Sequence, residues 1–133
     1  MTTNPRIRVL CVLGTRPEAI KMAPVIQELN RRSDRFEAVV CSTGQHRQML
    51  DQAMRTFGIT ADYDLDLMRD SQSPADVAGR MLTRCPEVLA ETTPDIVLVQ
   101  GDTITTCSAA FAAYLGRVPV GQIEAGLRTG NPD

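Results

Sequence analysis

Arg6-Ile7-Arg8-Val9-Leu10-Cys11-Val12-Leu13, followed at once by Gly14-Thr15-Arg16-Pro17-Glu18, is the stretch whose reading decides the fold. The run is apolar at nearly every position, so it reads as a strand covered on both faces rather than as one half-exposed edge. Gly14 ends it. Pro17 then suits the first turn of a helix, and over residues 17–31 Ile20, Met22, Ala23, Ile26 and Leu29 fall along one broad apolar face. Pro24 lacks a backbone donor and is expected to kink that helix.

The same strand–turn–helix unit repeats outward from this point. Residues 36–42 (FEAVVCS) form a second strand, and residues 47–57 place Met49, Leu50, Ala53, Met54 and Phe57 on one helical face before Gly58. Residues 63–67 suit a short edge strand. Residues 74–93 read as a long helix with Ser73 as its N-cap, bent or broken at Pro86. Residues 96–100 (IVLVQ) form the next strand, residues 104–115 a helix of small residues, and residues 118–124 the last strand. Buried strands alternating with helices mean a parallel sheet covered on both sides: a doubly wound, Rossmann-like α/β domain of about five strands.

The 133 residues suffice for one domain, able to bury roughly two-thirds of its unfolded surface. With 43% apolar and 23% charged residues, disorder and low complexity are excluded. Fourteen Lys and Arg against 16 Asp and Glu leave a net charge of −2, which supplies no electrostatic footprint for nucleic acid or an anionic membrane. No apolar run approaches the roughly 18–20 residues of a membrane span, and MTTNPRIR has no signal-peptide core, so the reading places the protein in the cytoplasm. Cys11, Cys41, Cys85 and Cys107 show no C-x-x-C spacing, and His46 is the only histidine; packed core thiols are expected, and no metal.

Ligands of such sheets bind beyond the carboxyl ends of the strands. Polar, glycine-containing turns stand at four of those ends: Gly14-Thr15-Arg16-Pro17-Glu18, Thr43-Gly44-Gln45-His46, Gln100-Gly101-Asp102-Thr103, and Glu124-Ala125-Gly126-Leu127-Arg128-Thr129. Arg16 and Lys21 beside a helix N-terminus suit an anion; the alternative is a capped turn with solvated charges. Asp102 suits either an N-cap or the site. Glu124, closing an apolar strand, is expected to sit partly dehydrated, either paired with Arg128 or serving in catalysis. Together, two carboxylates facing two cations across one rim suit acid–base chemistry on a phosphorylated ligand.

The segment Gly14-Thr15-Arg16-Pro17-Glu18-Ala19-Ile20-Lys21-Met22-Ala23-Pro24 closely resembles the opening motif of the non-hydrolysing UDP-N-acetylglucosamine 2-epimerases. So do the other three turns, in the family's order and spacing, and the resemblance covers essentially the whole chain. It implies a GT-B architecture, two Rossmann-like domains facing across a cleft, of which residues 1–133 match the N-terminal domain, ending before its last helix and without the second domain. It implies a homodimer, a role in cell-surface polysaccharide biosynthesis, and interconversion of UDP-N-acetylglucosamine and UDP-N-acetylmannosamine by elimination and re-addition of UDP, without nicotinamide or other cofactor.

Carried over residue by residue, the resemblance puts Arg16 and Lys21 at the nucleotide and Asp102 and Glu124 at the sugar as catalytic carboxylates. Gln45, His46 and Gln48 fall where some members bind a second, activating UDP-sugar. Gln122 departs from the family, which commonly has His there; glutamine keeps a hydrogen bond but cannot carry a proton. The family's second domain brings further catalytic and uracil-binding residues, so the 133 residues alone are expected to be inactive. Hydrolysing relatives share these motifs. A stand-alone UDP-sugar-binding module is the alternative reading. A phosphoacceptor receiver domain is disfavoured because Leu13-Gly14-Thr15 stands where an acidic pair is required.

Overall fold

The computed structural model describes residues 5–44 and 47–124. Strands and helices alternate: β1 (Ile7–Leu13), α1 (Arg16–Arg31), β2 (Phe36–Ser42), α2 (Arg47–Thr56), β3 (Tyr63–Asp64), α3 (Pro74–Thr92), β4 (Ile96–Gln100), α4 (Ile104–Leu115) and β5 (Val120–Ile123). The five strands form one sheet in the order β3-β2-β1-β4-β5, and every pairing is parallel. This is the expected doubly wound, Rossmann-like arrangement.

Strand alternation divides the core into two layers. Val9, Cys11 and Leu13 of β1 face Ala19, Met22 and Ile26 of α1 and Leu50 and Met54 of α2. Leu10 and Val12 point the other way, against Met81, Cys85 and Leu89 of α3 and Ala109 and Ala112 of α4. Because β1 is central, both of its faces are dry, which is why its sequence carries no polar alternation. Fully burying a side chain such as Leu10 or Leu13 contributes about 1.5–3 kcal/mol.

Several local expectations change. The break expected as one alternative at Pro86 does not occur: α3 runs through Pro86 without interruption, as α1 runs through Pro24. Both prolines are exposed, on faces where water can take up the carbonyl each ring leaves without a donor. The expected edge strand over residues 63–67 shortens to Tyr63–Asp64, because Asp66 takes a positive φ of 53° and turns the chain away. The last strand is Val120–Ile123, shorter than the expected 118–124. Of the four cysteines, Cys11, Cys41 and Cys85 are core thiols as expected, whereas Cys107 is exposed on α4. The apolar content of α4 is spread around the helix, and position 107 falls on the side away from α3 and the sheet.

Candidate functional site

The ladder between β1 and β4 pairs only Val9 with Ile96, Leu10 with Val97 and Cys11 with Leu98, while β1 continues to Leu13 and β4 to Gln100. The chain leaves β1 for the layer of α1 and leaves β4 for the layer of α4 on the opposite face. The strand order reverses at this point, and such a switch point opens a crevice beyond the strand ends. A cleft of about 590 Å³ lies there. Arg16, Glu18 and Lys21 line it from α1, Asp102 from the turn after β4, Glu124 from the end of β5, and Met49 from α2.

The structure therefore brings Arg16, Lys21, Asp102 and Glu124 around one cleft, although they are far apart in sequence. Thr15 caps α1, its hydroxyl accepting from the Glu18 amide, and Pro17 occupies the first turn. Arg16 and Lys21 are exposed, on the side of a helix start where free N–H groups favour an anion. Asp102 is not the N-cap of α4. Gly101, at φ +83°, turns the chain so that the Thr103 hydroxyl reaches the Thr106 amide, and Asp102 is left exposed at the cleft. Glu124 is exposed rather than partly dehydrated, because β5 is the outermost strand and its burial alternates. The Gln122 amide donates to the Gly101 carbonyl at 2.7 Å, tying β5 to the turn that carries Asp102.

Gln48 is exposed in the first turn of α2 and does not line the cleft; its neighbour Met49 does. Gln45, His46 and Arg128 lie outside the described residues.

Sequence reasoning did not single out Glu18. Its side chain is 3% exposed, and among the described residues it is the only buried carboxyl. Burial pushes the group up from the ordinary carboxylate range, opposed by hydrogen bonds from the Thr15 side chain, the Gly14 backbone, the Thr106 side chain and the Thr15 backbone. The pattern Thr15-x-x-Glu18 before an apolar face is a legible capping signal. Nothing local announces the approach of Thr106, 88 residues away.

Comparison with known proteins bears on the fold and the family. The family profile described as UDP-N-acetylglucosamine 2-epimerase matches residues 27–133. The chain is 54% identical over 125 residues to the UDP-N-acetylglucosamine 2-epimerase of Yersinia pestis, covering 94% of this chain and 33% of that protein. It is 51% identical over 125 residues to the enzyme of the same name from Escherichia coli K12, again covering 94% and 33%. The crystal structure of UDP-GlcNAc 2-epimerase from Neisseria meningitidis bound to UDP-GlcNAc superposes with a TM-score of 0.85 at 51% identity, over 94% of this chain and 34% of that one. The chain thus spans about a third of the length of the relatives it matches. One parallel sheet with a core layer on each face and this similarity lead to one conclusion: the chain belongs to the UDP-N-acetylglucosamine 2-epimerase family.

Proposed function

We propose that the cleft between α1, the β4–α4 turn and the end of β5 holds a UDP-sugar, and that this chain supplies the N-terminal half of a UDP-N-acetylglucosamine 2-epimerase of GT-B architecture. The observation that carries this reading is the convergence of Arg16 and Lys21 with Asp102 and Glu124 on one cleft. Arg16, Lys21 and the free amides at the start of α1 take the diphosphate. Asp102 and Glu124 take the sugar.

In the proposed reaction a carboxylate removes the proton from sugar carbon 2 while the bond from carbon 1 to UDP breaks, leaving 2-acetamidoglucal and UDP. UDP then adds back to carbon 1, and a proton is delivered to the opposite face of carbon 2. Atoms and charge balance without an oxidant. Two carboxylates on different strand ends suit transfer on two faces, and the cations stabilise the departing diphosphate. Gln122 serves through its hydrogen bond to the Gly101 carbonyl and carries no proton. Gln45, His46 and Gln48 are proposed to lie at a second, activating UDP-sugar.

Because the chain spans a third of its relatives' length, the 133 residues by themselves are proposed to bind without turning over. The whole enzyme is proposed to be a cytoplasmic homodimer serving cell-surface polysaccharide synthesis. Among the described residues no helix is long and apolar enough to cross a membrane.

The test is an amide NMR titration of this chain with UDP-N-acetylglucosamine. Saturable shifts are expected at residues 14–21, 100–103 and 124, weakened by about tenfold or more in Arg16→Ala, the loss of a charge-assisted phosphate contact. A flat titration at millimolar nucleotide sugar would sink the binding claim. Conversion to UDP-N-acetylmannosamine by the rigorously purified chain would overturn the claim that it does not turn over alone.

A further inference from the structure

Three of the four helices turn charged residues to solvent, among them Lys21 on α1, Arg55 on α2 and Arg84 on α3. The fourth does not. Helix α4 reads ITTCSAAFAAYL, without a single Asp, Glu, Lys or Arg. Its buried side is built of small residues, and Ala109, Ala112 and Ala113 pack into the core layer with α3. Its exposed positions are Ile104, Cys107, Phe111, Tyr114 and Leu115. A helix face that meets only water carries polar groups there, and this one carries none but the Tyr114 hydroxyl and a thiol. The positions 104, 107, 111 and 114 alternate steps of three and four, the narrow seam of one helix packed on another. The Phe111 and Tyr114 rings are stacked, with centroids 6.4 Å apart and planes inclined by 14°, so this aromatic pair is ordered before any partner arrives.

We propose that the outer face of α4 is the self-association surface of this chain, packed against α4 of a second copy with the two helices antiparallel about a two-fold axis. Two observations select a second copy as the occupant. The first is charge: a face without ionised groups meets its own image with no like charges opposed, and it offers a foreign partner no charge to recognise. The second is area. Ile104, Phe111, Tyr114 and Leu115 are 46%, 48%, 73% and 62% exposed. At about 150–250 Å² for an aromatic side chain and somewhat less for an aliphatic one, the four present about 400 Å². Two copies would bury about 800 Å² from these side chains alone, and the surrounding rim brings that to the roughly 1,000–1,200 Å² where specific interfaces begin. The antiparallel arrangement sets Cys107 against the partner's Phe111 and Ile104 against the partner's Tyr114, and the symmetry repeats each contact. A smaller side chain thus faces an aromatic ring along the whole seam. The inference rests on the proposed homodimer, to which it gives a surface, and not on the proposed ligand.

The experiment is sedimentation velocity on the chain from about 1 μM to about 500 μM, the range in which an interface of this modest size associates. The wild type should pass reversibly from monomer to dimer. Phe111→Glu and Tyr114→Glu should each weaken association by about tenfold or more, because every substitution acts twice across the axis. Both positions are exposed in the single chain, so the fold should persist, as checked by circular dichroism and by the thermal midpoint at the lowest concentration. Tyr114→Phe keeps the ring and should dimerise like the wild type. Arg55→Glu makes a larger charge change on α2, whose core layer lies on the other face of the sheet, and should leave the association midpoint within about twofold. Cys107 gives a second readout. Its reaction with a disulfide-exchange reagent should slow as the chain concentration rises through the midpoint, and that protection should vanish in Tyr114→Glu. A chain that stays monomeric throughout, or that assembles beyond a dimer, overturns the proposal. A dimer indifferent to both glutamate substitutions, or one that leaves Cys107 equally reactive at every concentration, overturns it while the homodimer reading stands. Neither readout involves nucleotide sugar, so a failure of the ligand reading leaves both intact.

Discussion

At Gly44 the backbone takes φ +74°, and a Cβ placed there would come within 2.5 Å of the Asp64 carboxyl and 3.0 Å of the Asp66 backbone. Gly44→Ala should cost about 1–3 kcal/mol, measured by urea unfolding, since both strain and steric conflict act at one position. The thiols give a separate check. Burial pushes Cys11 up to about 12 and Cys85 to about 11, and raises Cys41 further, whereas Cys107 is exposed. A disulfide-exchange reagent at neutral pH should therefore titrate one thiol in the folded chain and four after unfolding, and Cys107→Ser should remove the fast one. Individual residues were legible in the sequence where the cause was local. Ser73 announces itself as a cap, Asp102 and Glu124 stand at strand ends, and Arg16 and Lys21 stand in the first turns of the helix that follows β1. Cys107 and Glu18 were not legible, because the exposure of one and the buried partner of the other depend on how α4 packs.

The element with the most explicit start signal is α3. Its Ser73 hydroxyl accepts from the Asp76 amide at 3.1 Å, and the Asp76 carboxylate accepts from the Ser73 amide at 3.1 Å. Ser73→Ala should lower stability by about 1 kcal/mol, read as a shift in thermal midpoint, because it releases a donor in the first turn. The helix continues through Pro86 to Thr92, so proline was a poorer guide than capping chemistry. Residue type fixes a missing donor; whether that ends a helix depends on which side meets water. The strands divide similarly. β1, β2 and β4 were legible as apolar runs because helices pack on both faces of the sheet there. β3 and β5 are edges, where pairing with a single neighbour decides the length and sequence periodicity says little.

For the molecule as a whole, Glu18 imposes a pH dependence on stability. Its carboxyl is raised above its unfolded value, so the folded chain holds more protons than the unfolded chain, and stability falls as pH rises through the folded pKa. Denaturant unfolding at several pH values should show that decline in wild type and a flatter profile in Glu18→Gln; a wild-type stability that rises through the same window would contradict it. At this scale Arg8 records how the sheet is put together. Its guanidinium meets Glu37 at 2.9 Å across 29 residues of chain, while its backbone amide donates to Asp95 at 2.8 Å across 87. Loop closure costs more at the longer separation, so pairing β1 with β4 is the more expensive join. The cleft sits at the end of that join. A refolding intermediate that has zipped β1 to β2 and docked α1 already carries Arg16 and Lys21, yet has no opposing wall. Nucleotide sugar, the ligand proposed for that cleft, should thus leave the early β1-α1-β2 unit untouched when added during refolding and register only molecules that have closed the distant seam, making it a timer of completion.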